Sequence, residues 1–326
     1  MYDTNIQRTN IGVLTEGLGK RYDDLWAVRD VDLAVPYGTV LGLLGHNGAG
    51  KTTTIRMLTT LATPTEGRAS VAGLNVVDDA ARVRASIGLA GQYATVDGLM
   101  SGRANLEMVG RLYHLPRAMV RQRADELLER LGLADAADRL VKTFSGGMRR
   151  RLDLAASLMA SPPVLFLDEP TTGLDPHSRN ELWELLRELV RDGAALVLTT
   201  QYLDEADRLA DEIVVLDKGR IAAAGTPSEL KARVGGERLV VTVEERDDLE
   251  TAARALEPYA DGSPALQADG PQVVVPVRPG TRLTDAVRAL DAAGADAVDV
   301  HRREATLDDV FLSLTDPRRK QEATAA

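Results

Sequence analysis

The sequence predicts an α/β fold, and two observations support that prediction. Short, almost entirely apolar runs alternate along the chain with longer stretches of helical periodicity. Apolar runs of this kind, bounded by turns, are typical of parallel strands whose two faces are both covered. The chain has 326 residues, which is long for a single domain, so we expect one large domain and a smaller one.

Four strands and three helices can be assigned in the first two thirds of the chain. The predicted strands are TVLGLLG at 39–45, PVLFLD at 163–168, AALVLTT at 194–200 and EIVVLD at 212–217. The predicted helices cover 51–61, 118–133 and 179–193. The third helix carries four leucines on one face, as a helix packed against a core requires: Leu182, Leu185, Leu186 and Leu189.

A smaller α+β domain is predicted after Gly235 and Gly236, where the helical pattern breaks. The patterns there indicate a strand at 239–244, a helix at 247–256, strands at 265–268 and 272–277, a helix at 283–293 and a strand at 297–303. This βαββαβ order is that of a ferredoxin-like unit. A last helix, TLDDVFLSL, precedes a polar tail. We therefore expect domains at 1–234 and 235–316 and a flexible tail at 317–326.

Composition argues against several classes of protein. A net charge of −10 and an aromatic content of 4% disfavour nucleic-acid binding, which needs a basic field and stacking side chains. Without cysteine there is no disulfide framework and no thiolate metal site. The N-terminus lacks the pattern of a secretory signal, and the longest uncharged run, 33–50, is interrupted by proline and glycines. We expect a chain without its own membrane span.

The most specific motif is GHNGAGKTT, which follows a predicted strand and opens a predicted helix. It matches the phosphate-binding pattern G-x-x-x-x-G-K-[ST], in which backbone N–H groups and the helix N-terminus surround phosphates. In this pattern Lys51 neutralises phosphate charge, and Thr52 offers a hydroxyl to Mg²⁺. The alternative is a glycine-rich turn that serves packing. The predicted nucleotide-binding residues are Gly45, His46, Asn47, Gly48, Ala49, Gly50, Lys51, Thr52 and Thr53.

Two adjacent carboxylates end the predicted strand in VLFLDEP. Open α/β sheets bind their ligands at the carboxyl ends of their strands. Asp168 can hold Mg²⁺ there through an outer sphere, and Glu169 can polarise a water for attack on a γ-phosphate. The alternative is a polar strand end that leads into a proline turn.

A second candidate anion site lies in FSGGMRRRLDLAASL. Ser145, Gly146 and Gly147 would place a hydroxyl and free N–H groups at a helix N-terminus. The alternative is ordinary capping, with Ser145 as the N-cap. The arginines at 149–151 could contact phosphate or a partner, but a solvated helix face is the favoured interpretation.

Over about residues 11–230 the chain resembles the ATP-binding cassette (ABC) family, because the phosphate loop, the signature and the paired carboxylates occur in the family's order. The resemblance implies a P-loop NTPase cassette with a RecA-like core, a β subdomain and an α-helical signature subdomain. It implies that two chains form a homodimer in which each signature covers ATP held by the other chain. It further assigns Tyr22 to adenine stacking, Gln92 in GLAGQY to Mg²⁺ or water, and Asp175 to the dimer interface.

Two positions depart from the family pattern. The signature reads FSGGM, so Met148 stands where the family commonly has a glutamine. At the end of the predicted strand AALVLTT, Gln201 stands where the family usually has a histidine. A glutamine can bridge a γ-phosphate oxygen and the attacking water, but it cannot take a proton. We therefore expect Glu169 to be the polarising group, Gln201 to position the water and Lys51 to complete the catalytic set. The alternative for Gln201 is a solvent-capped strand end.

Three stretches, AGQYATVDGLMSGRANL, TTQYLDEADRLADEI and TLDDVFLSLT, resemble the daunorubicin-resistance type of ABC ATPase. The resemblance implies an ATPase that uses ATP and Mg²⁺, with metal ligands Thr52, Gln92 and Asp168. It also implies an integral-membrane permease as partner, a peripheral position on the cytoplasmic face of the membrane, and export of a drug or complex lipid. A soluble non-transport ABC ATPase and a nucleotide-dependent regulator are the alternatives.

Overall fold

The computed structural model describes residues 10–91, 96–233, 237–261, 264–266, 270–278 and 280–315. Contacts divide the chain into two compact units, Met1–Thr226 and Pro227–Ala326. The sequence pattern breaks a few residues later, at Gly235, so the helix before that break belongs to the second unit. The assignment of domains to particular functions stays a prediction.

The first unit contains ten strands and seven α-helices in its described part. In chain order they are β1 (Ile11–Tyr22), β2 (Leu25–Pro36), β3 (Val40–Leu44), α1 (Lys51–Leu58), β4 (Glu66–Val71), β5 (Leu74–Asn75), α2 (Ala80–Ala85), β6 (Ile87–Ala90), α3 (Gly102–Leu112), α4 (Arg117–Arg130), α5 (Gly146–Leu158), β7 (Val164–Asp168), α6 (Pro176–Arg191), β8 (Ala195–Thr200), α7 (Leu203–Leu209), β9 (Glu212–Asp217) and β10 (Arg220–Gly225).

The central sheet has the strand order β10-β9-β3-β8-β7-β6. All neighbouring strands run parallel except β10, which pairs antiparallel with β9. Strands β3, β7 and β8 are buried along their whole length, as their uninterrupted apolar sequences predict. Parallel strands end at the same edge, so the segments that follow β3, β8, β7 and β6 meet at one side of the sheet.

A second, antiparallel sheet of the first unit has the order β2-β1-β4-β5. Its strand β2 reads LWAVRDVDLAVP, and the apolar residues that alternate with charged ones face the core: Val28, Val31, Leu33 and Val35. They pack in one cluster with residues of the central sheet, among them Leu43, Phe166 and Val197. The two sheets therefore share one core.

Helices α3, α4 and α5 pack on one another. Their buried faces include Leu106 on α3, Leu127 and Leu128 on α4, and Leu152 on α5. The spacing of these side chains is that of helices with one apolar face. The first unit thus contains a central sheet, an antiparallel sheet and a group of packed helices, which are the three parts that the resemblance implies.

The second unit contains α8 (Pro227–Arg233), β11 (Glu237–Val243), α9 (Leu249–Leu256), β12 (Ala265–Leu266), β13 (Gln272–Pro276), α10 (Leu283–Ala293), β14 (Ala297–Glu304) and α11 (Leu307–Thr315). The sheet order is β12-β13-β11-β14, and every neighbouring pair is antiparallel. Strands β11 and β12 therefore run parallel with β13 between them, which is the split βαβ arrangement predicted from the element order.

Element ends differ from the sequence predictions by a few residues, and local contacts explain two of the differences. Helix α6 begins at Pro176, three residues before the predicted start, because Asp175 caps it. Helix α9 begins at Leu249 because 246–248 form a 3₁₀ turn. None of the helices in the described ranges is both long enough and apolar enough to cross a bilayer.

Candidate active site

The predicted site residues follow neighbouring strands of the central sheet. The phosphate loop follows β3, Glu169 follows β7 and Gln201 follows β8. Leu44 pairs with Thr200 and Asp168 pairs with Thr199, so the three strand ends lie at the same level of the sheet. The order β3-β8-β7 places the end of β8 between the other two. This sheet edge is where an α/β protein of this type binds its ligand.

The phosphate loop owes its shape to glycines. Gly45, Gly48 and Gly50 have φ values of 155°, 83° and 113°, which side-chain-bearing residues rarely adopt. A Cβ on Gly50 would also lie 2.7 Å from the carbonyl oxygen of Ala27 on β2. The second sheet thus holds the loop closely from one side. The loop leads directly into α1, so the N–H groups of the first turn face the site.

Lys51 lies buried inside the loop, with 5% of its surface exposed. Its Nζ donates to the carbonyl oxygens of Gly45 at 2.6 Å and His46 at 3.2 Å. Burial lowers the pKa of the Lys51 ammonium, and the nearby carboxylates of Glu169 and Asp168 act against that shift. A phosphate group placed in the loop would supply the negative charge that this buried cation lacks.

Thr52 and Asp168 form the candidate Mg²⁺ site. The Thr52 hydroxyl donates to Asp168 Oδ2 at 3.4 Å, and the Thr199 hydroxyl donates to Asp168 Oδ1 at 2.5 Å. Mg²⁺ prefers oxygen ligands, and the hydroxyl of Thr52 and the carboxylate of Asp168 supply such oxygens close to each other, so the residues present fit the ion. The third predicted ligand, Gln92, lies outside the described residues.

Glu169 has the left-handed backbone conformation, with φ of 49°. Its N–H donates to the carbonyl and hydroxyl oxygens of Thr199, both at 3.1 Å. Its carboxylate accepts a hydrogen bond from Thr172 Oγ1 at 3.2 Å and is partly exposed. This backbone conformation costs about 1–2 kcal/mol for a residue other than glycine, so its surroundings must hold it.

Thr199 was not predicted as a site residue, yet its hydroxyl contacts both Asp168 and Glu169. We expect Thr199→Val to lower the free energy of unfolding by about 1.5–3 kcal/mol, because a buried carboxylate loses its donor. The affinity for Mg²⁺–ATP should fall as well. Chemical denaturation and nucleotide titration measure the two effects.

Thr59→Val is the matched control for this substitution. The buried Thr59 hydroxyl donates only to the carbonyl of Ile55 in α1, at 2.8 Å, so its loss should cost about 1 kcal/mol or less. Equal effects of the two substitutions would contradict the special role of Thr199.

Gln201 and Tyr22 both have exposed side chains. Gln201 is the first residue after β8, next to the Thr200 that pairs with the last residue of β3. Tyr22 ends β1 with 44% of its surface exposed, and Lys20 Nζ lies 5.2 Å from its ring centroid. The hairpin that follows Tyr22 reaches the phosphate loop at Ala27.

The signature residues and Asp175 form a second group, at the N-termini of α5 and α6. The Ser145 side chain caps α5 by accepting from the N–H of Met148 at 3.2 Å, and Asp175 caps α6 by accepting from the N–H of Ser178 at 3.0 Å. Hydrogen bonds from Ser178 lower the pKa of the Asp175 carboxyl. A Cβ on Gly147 would lie 3.1 Å from Ser178 Oγ, so the two helix ends are in contact. Ser145 and Asp175 therefore act as caps within this chain.

The surroundings of one arginine differ from the sequence interpretation. The arginine run was interpreted as a solvated helix face, but Arg150 is buried and only Arg149 is exposed. The interpretation was wrong for Arg150 because the carboxyl ends of β6 and β7 cover its guanidinium, which contacts the carbonyl oxygens at 91 and at 168–170. His46, which the motif leaves unconstrained, pairs through Nε2 with Asp217 Oδ1 at 3.3 Å, at the end of β9.

Comparisons with known proteins agree with this geometry. Residues 28–172 match the model of the ABC transporter family. The chain is 52% identical to the daunorubicin resistance ATP-binding protein DrrA2 of Streptomyces coeruleorubidus, over 94% of this chain and 95% of that protein. It is 46% identical to the daunorubicin/doxorubicin resistance ATP-binding protein DrrA of Streptomyces peucetius, over 98% of each. Among solved structures, cbiO1 of Clostridium perfringens aligns with a TM-score of 0.64 and 28% identity, covering 68% of this chain and 91% of that one.

Proposed function

The chain belongs to the ABC transporter family and is an ABC-type ATPase, and from that premise we propose that it powers the export of a drug or complex lipid. The observation that supports export is the likeness to drug-resistance ATP-binding proteins, which extends over nearly the whole chain. It includes the second unit, which lies outside the family model at 28–172. The alternatives, a non-transport ABC ATPase and a nucleotide-dependent regulator, gain no support from these relatives.

We propose that the chain works as a homodimer with a separate membrane permease, at the cytoplasmic face of the membrane. The signature group at the N-termini of α5 and α6 presents N–H groups at an exposed surface, as a site for the second chain's nucleotide requires. The similar protein cbiO1 is part of an ABC transporter complex, cbiONQ, which is consistent with such an assembly. The second unit would steady or regulate the dimer.

In this proposal each site residue has a defined task toward ATP, the substrate. The phosphate loop binds the phosphates, with Lys51 opposing the β/γ charge, and Tyr22 stacks on adenine. Thr52, Asp168 and Gln92 would hold Mg²⁺, which neutralises phosphate charge when bound. Glu169 polarises the attacking water. Ser145, Gly146, Gly147 and Asp175 contact the partner chain and its nucleotide.

Gln201 would orient the water rather than take its proton. We expect Gln201→Ala to lower kcat by about 10–100-fold with little change in nucleotide affinity, because an amide that bridges water and γ-phosphate acts mainly in the transition state. Gln201→His should stay active. Steady-state kinetics and fluorescent-nucleotide titration separate the two effects. An unchanged kcat in Gln201→Ala would show that Gln201 only terminates β8.

Transport is tested in cells that produce the chain together with a candidate permease. We expect these cells to retain less daunorubicin than cells with the permease alone, and the Glu169→Gln chain to give no such decrease. If cells that contain an active ATPase and the permease retain as much daunorubicin as cells with the permease alone, that result would contradict drug export. The same cells can then be assayed for export of a labelled glycolipid, which distinguishes the two proposed cargo classes.

A further inference from the structure

Arg150 lies on α5, the signature helix, but contacts the turn at 168–170, which carries Glu169 and is called the catalytic turn below. Its Nε donates to the carbonyl oxygen of Pro170 at 2.7 Å, and its Nη2 donates to those of Asp168 at 3.2 Å and Glu169 at 3.1 Å. Its Nη1 donates to the carbonyl of Gly91, the residue after β6. One guanidinium therefore joins α5 to the carboxyl ends of two neighbouring strands.

The Arg150 guanidinium is buried, with 10% of its side chain exposed, and its charge is balanced nearby. Asp153, on the next turn of α5, approaches it to 3.9 Å. Burial lowers the pKa of Arg150, whereas Asp153, Asp168, Glu205 and Glu169 act in the opposite direction. A buried cation that meets several carbonyl oxygens is costly to move, so the segments it joins are fixed relative to each other.

The turn that Arg150 contacts has a strained backbone. Glu169 is left-handed, and its N–H is already held by Thr199 on one side. On the other side, Arg150 binds the carbonyl of Glu169 and the carbonyls before and after it. The direction in which the Glu169 side chain leaves the backbone follows from the orientation of its two peptide groups. Together the two contacts hold both of those groups.

We propose that Arg150 is a positioning residue that holds the Glu169 carboxylate in its catalytic orientation and links it to the signature helix. The proposal rests on the role proposed above for Glu169. Arg150 itself touches neither substrate nor water in this role. It should therefore affect kcat and leave the affinity for ATP nearly unchanged, because the phosphate loop binds ATP without it.

A comparison of arginine with lysine at position 150 distinguishes a positioning role from simple charge balance, because the two side chains carry the same charge but differ in shape. Arginine presents five N–H donors in a planar fork, whereas a lysine ammonium is a compact point charge with three donors. Arg150→Lys can balance Asp153 but cannot span the carbonyls at 91 and at 168–170. If charge balance were the whole function, lysine would restore activity.

The experiment measures ATP hydrolysis by the purified full-length chain for Arg150→Lys and for the neutral double variant Arg150→Gln/Asp153→Asn. The double variant removes the buried charge pair together, so it guards against unfolding caused by an unpaired Asp153. We expect both to lose about 10–100-fold in kcat, since a misplacement near 1 Å has effects of that size. KM for ATP should stay within about threefold.

Hydrogen exchange provides a readout that does not depend on activity. We expect the peptide covering 166–174 to exchange faster in both variants, with the α1 and β3 peptides unchanged. The matched control is Arg151→Met on the same helix, whose guanidinium contacts Leu131 and Glu181 and no residue of the catalytic turn. It should keep kcat and the exchange rate of 166–174.

Three outcomes would overturn the proposal. The first is a kcat for Arg150→Lys within about twofold of the kcat of the unmodified chain, because a lysine would then support turnover without the arginine fork. The second is unchanged exchange at 166–174, which would mean that Arg150 does not hold the turn. The third is full turnover in Glu169→Gln measured in parallel, which removes the role of Glu169 itself. A loss of kcat in Glu169→Gln but not in Arg150→Lys would leave the catalytic assignment standing and reject only Arg150.

Discussion

Replacing Lys51 by alanine is expected to abolish ATP turnover and to weaken ATP binding strongly. The Nζ group is buried within the loop and lies close enough to Glu169 and Asp168 for their charges to affect its pKa. Charge-assisted hydrogen bonds contribute about 1.5–3 kcal/mol, and this cation opposes charge that grows in the transition state. We expect kcat/KM to fall by at least about 100-fold. Phosphate-release kinetics and nucleotide titration measure the two losses.

Lys231→Ala is the control for this prediction. Lys231 lies on α8 in the second unit, outside the phosphate loop, so its loss should leave basal turnover unchanged. Thermal unfolding of the Lys51→Ala chain should show a folded protein, because burial of the ammonium is itself unfavourable. If a folded Lys51→Ala chain hydrolysed ATP as fast as the unsubstituted chain, the assignment of this loop as the phosphate-binding loop would be wrong.

The sequence alone predicts the central sheet and the position of its site, because each apolar run ends at a polar motif. The strands at 39–45, 163–168 and 194–200 could be assigned from their sequences, and parallel pairing then brings the loop, Glu169 and Gln201 to one edge. The antiparallel hairpin of β1 and β2 was not assigned. The alternation in LWAVRDVDLAVP is a signal that could have revealed its second strand.

The contacts that hold the catalytic turn could not be predicted from the sequence. Arg150 looks solvated beside Arg149 and Arg151, because nothing local shows that β6 and β7 cover it. Thr199 looks like any strand residue until its register partner is known to be Asp168. Both roles depend on contacts between residues 18 to 59 positions apart in the chain, which composition and periodicity do not encode.

Glu169→Gln is expected to bind ATP normally but to lose turnover by about 10²–10⁴-fold, the range attributed to a positioned general base. Glutamine has the size of glutamate and can still accept the hydrogen bond from Thr172 Oγ1, so the turn should keep its shape. What the variant lacks is the negative charge that polarises water. The ATP-bound state should therefore accumulate, and light scattering after gel filtration with Mg²⁺–ATP should show a dimer.

The trapped dimer also tests the proposed arrangement of the signature. If each nucleotide contacts both chains, ATP that cannot be hydrolysed stabilises the dimer by mass action, and its removal should return the variant to monomer. Glu184→Gln is the control, because Glu184 is exposed on α6, pairs with Arg187 and should neither slow turnover nor trap a dimer. An ATP-bound Glu169→Gln chain that elutes only as monomer would contradict a nucleotide shared between two chains.

Adding Ser145→Arg to Glu169→Gln should prevent the dimer while the phosphate loop still binds ATP. The bulky arginine side chain would obstruct the N-terminus of α5, which the partner's nucleotide must reach.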